Sequence, residues 1–432
     1  MKVESGHPAW LRRLCVAAAA VVAAMAPGQA AGRIAQPCQQ PHCETAGTIR
    51  WERTLPGSWL AQGGLTGTAP AGGQAFAALR GQVAAVGTGL TVYAYGAGTG
   101  QPLWTDYLTG FPAGARIVSV RAWAGVVTAG VAVPVPTGST PAARAARRAG
   151  GLRYEVLLRA GSGQRLGTHP AAPFGGAVAA GRGATVIVGA RSVTSYSDRT
   201  GHPLWTRGTG ALPQTWQVDG ERIYLTVAAK GYLGTAPVTA LRRIDLRTGA
   251  ERLVRPDGHD FDGTLSLAFG GVLLFSNPGG VAAYSGTSGE LLWRRAGVLP
   301  DTVDASAGLI YLINGRDLLG VDPQTGVARS HVPGVAGGAT SGLYGVRGGA
   351  VLGLDRGAPG KAWSYSVATQ RVVWTSRPLP WPHYFVDLSG IGGSAPPYAA
   401  MVLLATCARL GQQLPGSAGQ LCARPELVLL NR

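Results

Sequence analysis

The chain has 432 residues, with 67 glycines, 29 prolines, 46% hydrophobic and only 14% charged residues. That hydrophobic share excludes a disordered polar chain, and so many turn formers between short apolar segments point to an all-β protein. Lys and Arg exceed Asp and Glu by 17, yet only Lys2, Lys230 and Lys361 are lysines and the arginines are mostly scattered, so the charge singles out no specific nucleic-acid partner.

In chain order, Arg12 and Arg13 precede an apolar run from Leu14 to Ala26, and the small residues Gly28 and Ala30 follow. A basic start, a run too short to span a bilayer comfortably and a small-residue exit predict a secretory signal peptide over residues 1–30. A retained signal anchor is the second reading. Cys15 would leave with the signal. Four cysteines then remain, Cys38 and Cys43 in a short segment 31–46, and Cys407 and Cys422 near the other end. In an exported chain these read as structural disulfides, and three pairings are open. Cys38–Cys43 with Cys407–Cys422 is the local solution; a Cys38–Cys422 crosslink would staple the two ends.

From residue 47 the chain repeats itself. A turn glycine stands four residues before a tryptophan at Gly47 and Trp51, Gly100 and Trp104, Gly201 and Trp205, and Gly289 and Trp293. Gly163, Gly249 and Gly326 keep the turn without the tryptophan, and Gln370 takes the glycine place before Trp374. The seven intervals from Gly47 to Gln370 average about 46 residues, the length of four short strands in a β-propeller blade. An apolar third strand precedes each turn. Asp245 and Asp322, four residues before their glycines, are placed to accept backbone N–H bonds. The glycine supplies the left-handed conformation of a bulged hairpin, and the tryptophan on the outer strand is expected to wedge between blades.

Two stretches depart from the repeat. Residues 133–150, rich in Pro, Ala and Arg with Arg144, Arg147 and Arg148 close together, read as a flexible basic insertion on one face. “RPDGHDFDG” brings Asp257, His259, Asp260 and Asp262 into one loop, a calcium candidate that lacks the closing Glu of a calcium-binding loop. After Trp374 come strand-like segments with no outer strand, whereas “GTIRWERTL” is an outer strand with nothing before it. The expectation is a single eight-bladed β-propeller of four-stranded antiparallel blades over residues 47–432, closed by pairing N- and C-terminal strands, with seven blades as the alternative.

The segments “YAYGAGTGQPLW”, “TSYSDRTGHPLW”, “RRIDLRTGAERL” and “AAYSGTSGELLW” resemble the repeat of the pyrroloquinoline-quinone-like (PQQ-like, quinoprotein-type) β-propellers, and the Arg, Ala and Gly usage is similar to that of exported actinobacterial members of unknown role. For the dehydrogenases of that family the resemblance implies PQQ beside a vicinal disulfide, a calcium and an Asp base. This chain has no adjacent Cys pair and no haem-attaching Cys-x-x-Cys-His. “GAGTG” lies in a blade turn with no helix after it, and “GAPGKAW” has Ala362 where a phosphate loop needs Ser or Thr. His202, in “TGHPLW”, stands where Gln101 and Glu290 stand in other copies, which reads as surface.

The functional expectation is therefore a non-enzymatic, secreted or cell-surface binding or scaffold module. It needs no cofactor and has no identified catalytic residue. Its partner would be a protein or cell-envelope polymer, with membrane contact only through a retained N-terminal segment and a monomeric chain. The alternative is a PQQ- and calcium-dependent dehydrogenase.

Overall fold

A computed structural model describes residues 49–55, 59–60, 76–80, 83–123, 125–135, 152–172, 176–180, 183–210, 213–227, 238, 240–256, 260–334, 341–347, 349–355, 361–376, 401–413 and 420–431. Gly47, Cys38, Cys43, Asp257, His259 and Arg144, Arg147 and Arg148 lie outside these residues. Every regular element among them is a strand.

β1 (Ile49–Thr54) and β2 (Trp59–Leu60) come first, and seven sheets follow in chain order. Sheet 1 holds β3 (Phe76–Arg80), β4 (Val83–Thr88), β5 (Thr91–Gly96) and β6 (Pro102–Tyr107). Sheet 2 holds β7 (Arg116–Trp123), β8 (Val126–Val133), β9 (Leu152–Arg159) and β10 (Arg165–Ala171). Sheet 3 holds β11 (Ala177–Ala179), β12 (Ala184–Val188), β13 (Ser192–Ser197) and β14 (Pro203–Gly208). Sheet 4 holds β15 (Pro213–Asp219), β16 (Arg222–Val227), β17 (Leu241–Asp245) and β18 (Glu251–Val254). Sheet 5 holds β19 (Thr264–Phe269), β20 (Val272–Asn277), β21 (Gly280–Ser285) and β22 (Leu291–Ala296). Sheet 6 holds β23 (Leu299–Asp304), β24 (Leu309–Asn314), β25 (Asp317–Val321) and β26 (Ala328–Val332). Sheet 7 holds β27 (Ser341–Arg347), β28 (Ala350–Asp355), β29 (Ala362–Ser366) and β30 (Arg371–Thr375).

Each of the seven is an antiparallel meander whose sequence neighbours are its hydrogen-bonded neighbours. The last strands, β31 (Met401–Gln413) and β32 (Gln420–Asn431), make an eighth sheet with the first two. β31 runs along β32, which also pairs with β1 through Glu426 to Leu430 and with β2 through Leu421 and Cys422. In this register Cys407 stands opposite Pro425, and Cys422 opposite Leu410.

The burial gradient across a sheet follows from strand position. Second strands such as “VAAVG”, “ATVIV” and “VLLF” are mostly apolar and buried at successive residues, because successive sheets pack face to face. Fourth strands are sheet edges and alternate between exposed and half-buried residues, as in β6 and β22. Six apolar seams join sheets 1 to 7 in order. The first of them sets Val92 of sheet 1 against Ile117, Val120 and Leu158 of sheet 2, all buried. Farther along, Phe275 of sheet 5 is wholly buried against Phe261 and Tyr284.

The hairpin from third to fourth strand is built the same way six times. The N–H of the turn glycine donates to the carbonyl four residues back, as in Gly100 to Gly96 at 2.7 Å and Gly249 to Asp245 at 2.8 Å. The N–H of that first residue donates to the carbonyl just past the glycine, as in Asp245 to Ala250 at 2.8 Å. Gly100, Gly163, Gly201, Gly249, Gly289 and Gly326 all have φ between 66° and 83°. In most of the hairpins a register shift follows where the fourth strand begins, opposite residues such as Ala94 and Ala283.

Candidate functional site

The residues that mark the repeat hold the scaffold together. The Asp245 carboxylate accepts the N–H groups of Arg247 at 3.1 Å and Thr248 at 2.7 Å, and Asp322 does the same for Gln324 and Thr325 at 3.0 and 2.9 Å. Ser197 and Ser285 hold the same place with a hydroxyl. Trp104, Trp205 and Trp293 each reach the turn of the following sheet. A Cβ on Gly163, Gly249 or Gly326 would lie 2.7 to 2.8 Å from the ring of Trp104, Trp205 or Trp293. The indole N–H groups of Trp104 and Trp293 donate to Ala160 O and Pro323 O, both at 2.7 Å. Where the fourth strand of the preceding sheet lacks a tryptophan, backbone takes its place, with Leu166 O against Gly201 and Arg255 O against Gly289. The glycines therefore serve two needs, a positive φ and a surface without a side chain. Trp374 is half-buried on β30, and Trp51 lies on β1. His202 is exposed.

The seam between sheets 2 and 3 differs from the others. Part of it is apolar, with Trp123, Val126, Leu157, Ala171, Ala177 and Ile187. The rest is polar. Ser119 pairs with Gly130, Gly130 with Glu155 and Glu155 with His169, so one row crosses all four strands of sheet 2. Paired residues project from the same face of an antiparallel sheet. A Cβ at Gly130 would collide with Ser119 Oγ and come within 2.8 Å of Arg153 Nη2 and 2.9 Å of Glu155 Oε1. The missing side chain is what admits the three polar groups.

Within this cluster Arg153 Nη2 donates to Ser119 Oγ at 2.9 Å, and Arg153 Nε stands 3.7 Å from Glu155 Oε1. Glu155 is wholly buried, and neither carboxylate oxygen has a hydrogen-bond partner among the described residues. The other buried acids are bonded: Asp198 accepts from Thr185 Oγ1 at 2.5 Å, and Asp304 from Gly349 N at 2.7 Å. Burial raises the Glu155 carboxyl above its ordinary value, against the pull of Arg153 and Arg121. Burial lowers the Arg153 guanidinium, opposed by Glu155 and reinforced by Arg121.

Arg121 joins from β7, donating from Nη1 to Ala177 O of sheet 3 at 3.2 Å. Its guanidinium fills the space that a Cβ on Gly176 would need, with Trp216 bordering the same space. At the far end of the row His169 lies over Gly167, the position that holds tryptophan in other copies, and stacks on Tyr196 with ring centroids 3.8 Å apart. Burial lowers the His169 imidazole. Trp123 closes the opposite end by donating to Thr185 Oγ1 at 2.9 Å. One ionisable carboxyl thus lies in a largely buried seam with Arg153 at 3.7 Å and Arg121 near enough to pull on it.

Of the calcium candidate, Asp260 is exposed, and Asp262 accepts a hydrogen bond from Asn277 Nδ2 at 2.7 Å and lies 3.9 Å from Arg294 Nη2. Among the described residues no three His, Cys, Asp or Glu side chains come together as ligands of an ion would. Sequence reasoning misses the Arg153–Glu155 cluster. Its only linear signals are a glutamate inside the apolar “RYEVLL” and a glycine inside “VVTAGVAV”.

No family model matches the chain, and no curated protein matches it. Among solved structures it is similar to BamB from Moraxella catarrhalis, at 16% identity over 64% of this chain and 80% of that one, with a TM-score of 0.42. It is similar to the dihydro-heme d1 dehydrogenase NirN in complex with DHE, at 12% identity over 73% and 68%, with a TM-score of 0.49. It is also similar to the quinohemoprotein alcohol dehydrogenase ADHIIG from Pseudomonas putida HK5, at 12% identity over 83% and 75%, with a TM-score of 0.43. At such values no activity passes from these proteins to this chain.

Proposed function

We propose that the chain is an extracytoplasmic binding module, an eight-bladed β-propeller closed between its termini, that presents its loops to a protein or cell-envelope ligand without catalysing a reaction. The observation that carries this reading is the use made of the repeat's polar residues. Asp245, Asp322, Ser197 and Ser285 each bond the backbone of their own turn, which is scaffold work. The pairing of β1 with β32, and the position of β31 beside β3, support closure. Loops between such strands gather at two ends of the sheets, where binding needs no special chemistry.

Affinity capture from cell-envelope extracts, with and without residues 133–150, tests the reading. One partner recovered by the intact chain at stoichiometric yield supports it. Dye reduction by alcohols or sugars after addition of PQQ and calcium would overturn it in favour of a dehydrogenase. Mass spectrometry of the mature N-terminus tests export, with cleavage near residue 30 as the expected result.

A further inference from the structure

We propose that Arg121, Arg153 and Ser119 form a receiving site for an oxyanion of the phosphate class at the seam between sheets 2 and 3. This inference rests on the binding-module reading and gives it a ligand chemistry. Arg153 Nε is buried, 3.7 Å from Glu155 Oε1, and has no hydrogen-bond partner among the described residues, and Ser119 accepts from Arg153 while keeping its own O–H to donate. Arg121 is half-buried and donates one bond, to Ala177 O. These are donors from two strands beside a single carboxylate. An oxyanion with three or four oxygens can accept from two guanidinium groups and a hydroxyl together, and arginine forks suit that geometry.

A further arginine lies on the same face. Arg116 shares a row with Ala132 and Arg153, at the end of sheet 2 where β8 leaves and β9 begins. The charged and titratable groups on this face are Arg116, Arg121, Arg153, Glu155 and His169 from sheet 2, with Tyr196 and Asp198 from sheet 3. Glu155 is the one that opposes an anion directly, because it sits against Arg153. When Glu155 is ionised it competes for Arg153; when protonated it leaves both guanidinium groups to the ligand.

The probe is sulfate, whose charge is constant from about pH 5 to pH 8, titrated calorimetrically into the secreted chain at fixed ionic strength. Saturable binding that weakens as pH rises is expected. Glu155→Gln should tighten binding at pH 8 by about tenfold and reduce the pH dependence to the part that His169 contributes, and Arg121→Gln should weaken binding by about tenfold. Arg153 is left intact, because its removal would strand Glu155. If Arg121→Gln fails to fold, the near-isosteric Glu155→Gln decides alone. Absence of saturable binding, or binding that Glu155→Gln leaves unchanged, overturns the site. A soluble glycerol phosphodiester run beside inorganic phosphate separates the sources. Equal binding supports a site for polymer phosphodiesters, and binding of inorganic phosphate alone supports a site for the free ion. Failure here leaves the binding-module reading to the capture experiment, and PQQ-dependent dye reduction would remove that reading without touching this site.

Discussion

Gln370 has a φ of 53°, in the turn place that glycine holds in six sister hairpins. A side chain in the left-handed region costs roughly 1–2 kcal/mol, and glycine returns part of that through the entropy of the unfolded chain. Gln370→Gly should therefore stabilise the protein by about 0.5–1 kcal/mol, read as a higher urea midpoint with an unchanged slope. A lower midpoint would show that the turn is not strained. This break in the repeat was legible in the sequence, since Gln370 is the one marker that is not glycine. Glu155 was not legible, because its burial depends on Gly130 and Ser119, which reach it only through strand pairing. Its pH signature has a definite sign. Glu155 is raised above 4.5 by burial, so its contribution to stability is full below that value and is lost as pH rises through the folded value. Glu155→Gln should gain stability over the native chain as pH increases from about 4 to 8, and parallel curves would contradict this. His169 acts in the opposite direction: lowered from 6.5 by burial, it weakens the fold as pH falls below that value in both proteins, so the difference between them isolates Glu155.

At the scale of the element, the third-to-fourth hairpin and its tryptophan form one device that spans two sheets. Trp293 lies on Gly326 and donates to Pro323 O at 2.7 Å. Trp205 lies on Gly249 in the same way, but its buried indole N–H has no partner among the described residues. Phenylalanine keeps most of the apolar contact at both positions and removes the N–H. Trp293→Phe should therefore cost about 1 kcal/mol more than Trp205→Phe in urea unfolding, the worth of one net hydrogen bond. Equal costs would mean that the indole bond contributes nothing. The turn itself could be read from the chain, because glycine, the preceding Asp and the following tryptophan are local signals. What the tryptophan touches could not be read, since Trp293 and Gly326 belong to different hairpins that only the stacking of sheets brings together.

For the whole molecule the question is whether the sheets form an open stack or a closed ring. Six seams join sheets 1 to 7, and β32 gathers β1, β2 and β31 into the eighth sheet. In an open stack each sheet contacts only its neighbours, so loss of the last strand removes one terminal unit and leaves the main transition in place. In a ring the same loss opens two seams at once and exposes apolar faces on sheets 1 and 7. Ending the chain at Gln413 deletes β32 and leaves β1, β2 and β31 without their common partner. A closed propeller should respond with a fall of several kcal/mol in urea stability, at about 25 cal/mol for each Å2 of apolar surface exposed, and with new binding of a hydrophobic dye. An unchanged main midpoint without dye binding would argue for the stack. Tryptophan fluorescence is a suitable probe, because Trp104, Trp205 and Trp293 lie in different seams and would lose their packing together only if the ring unfolds as one unit.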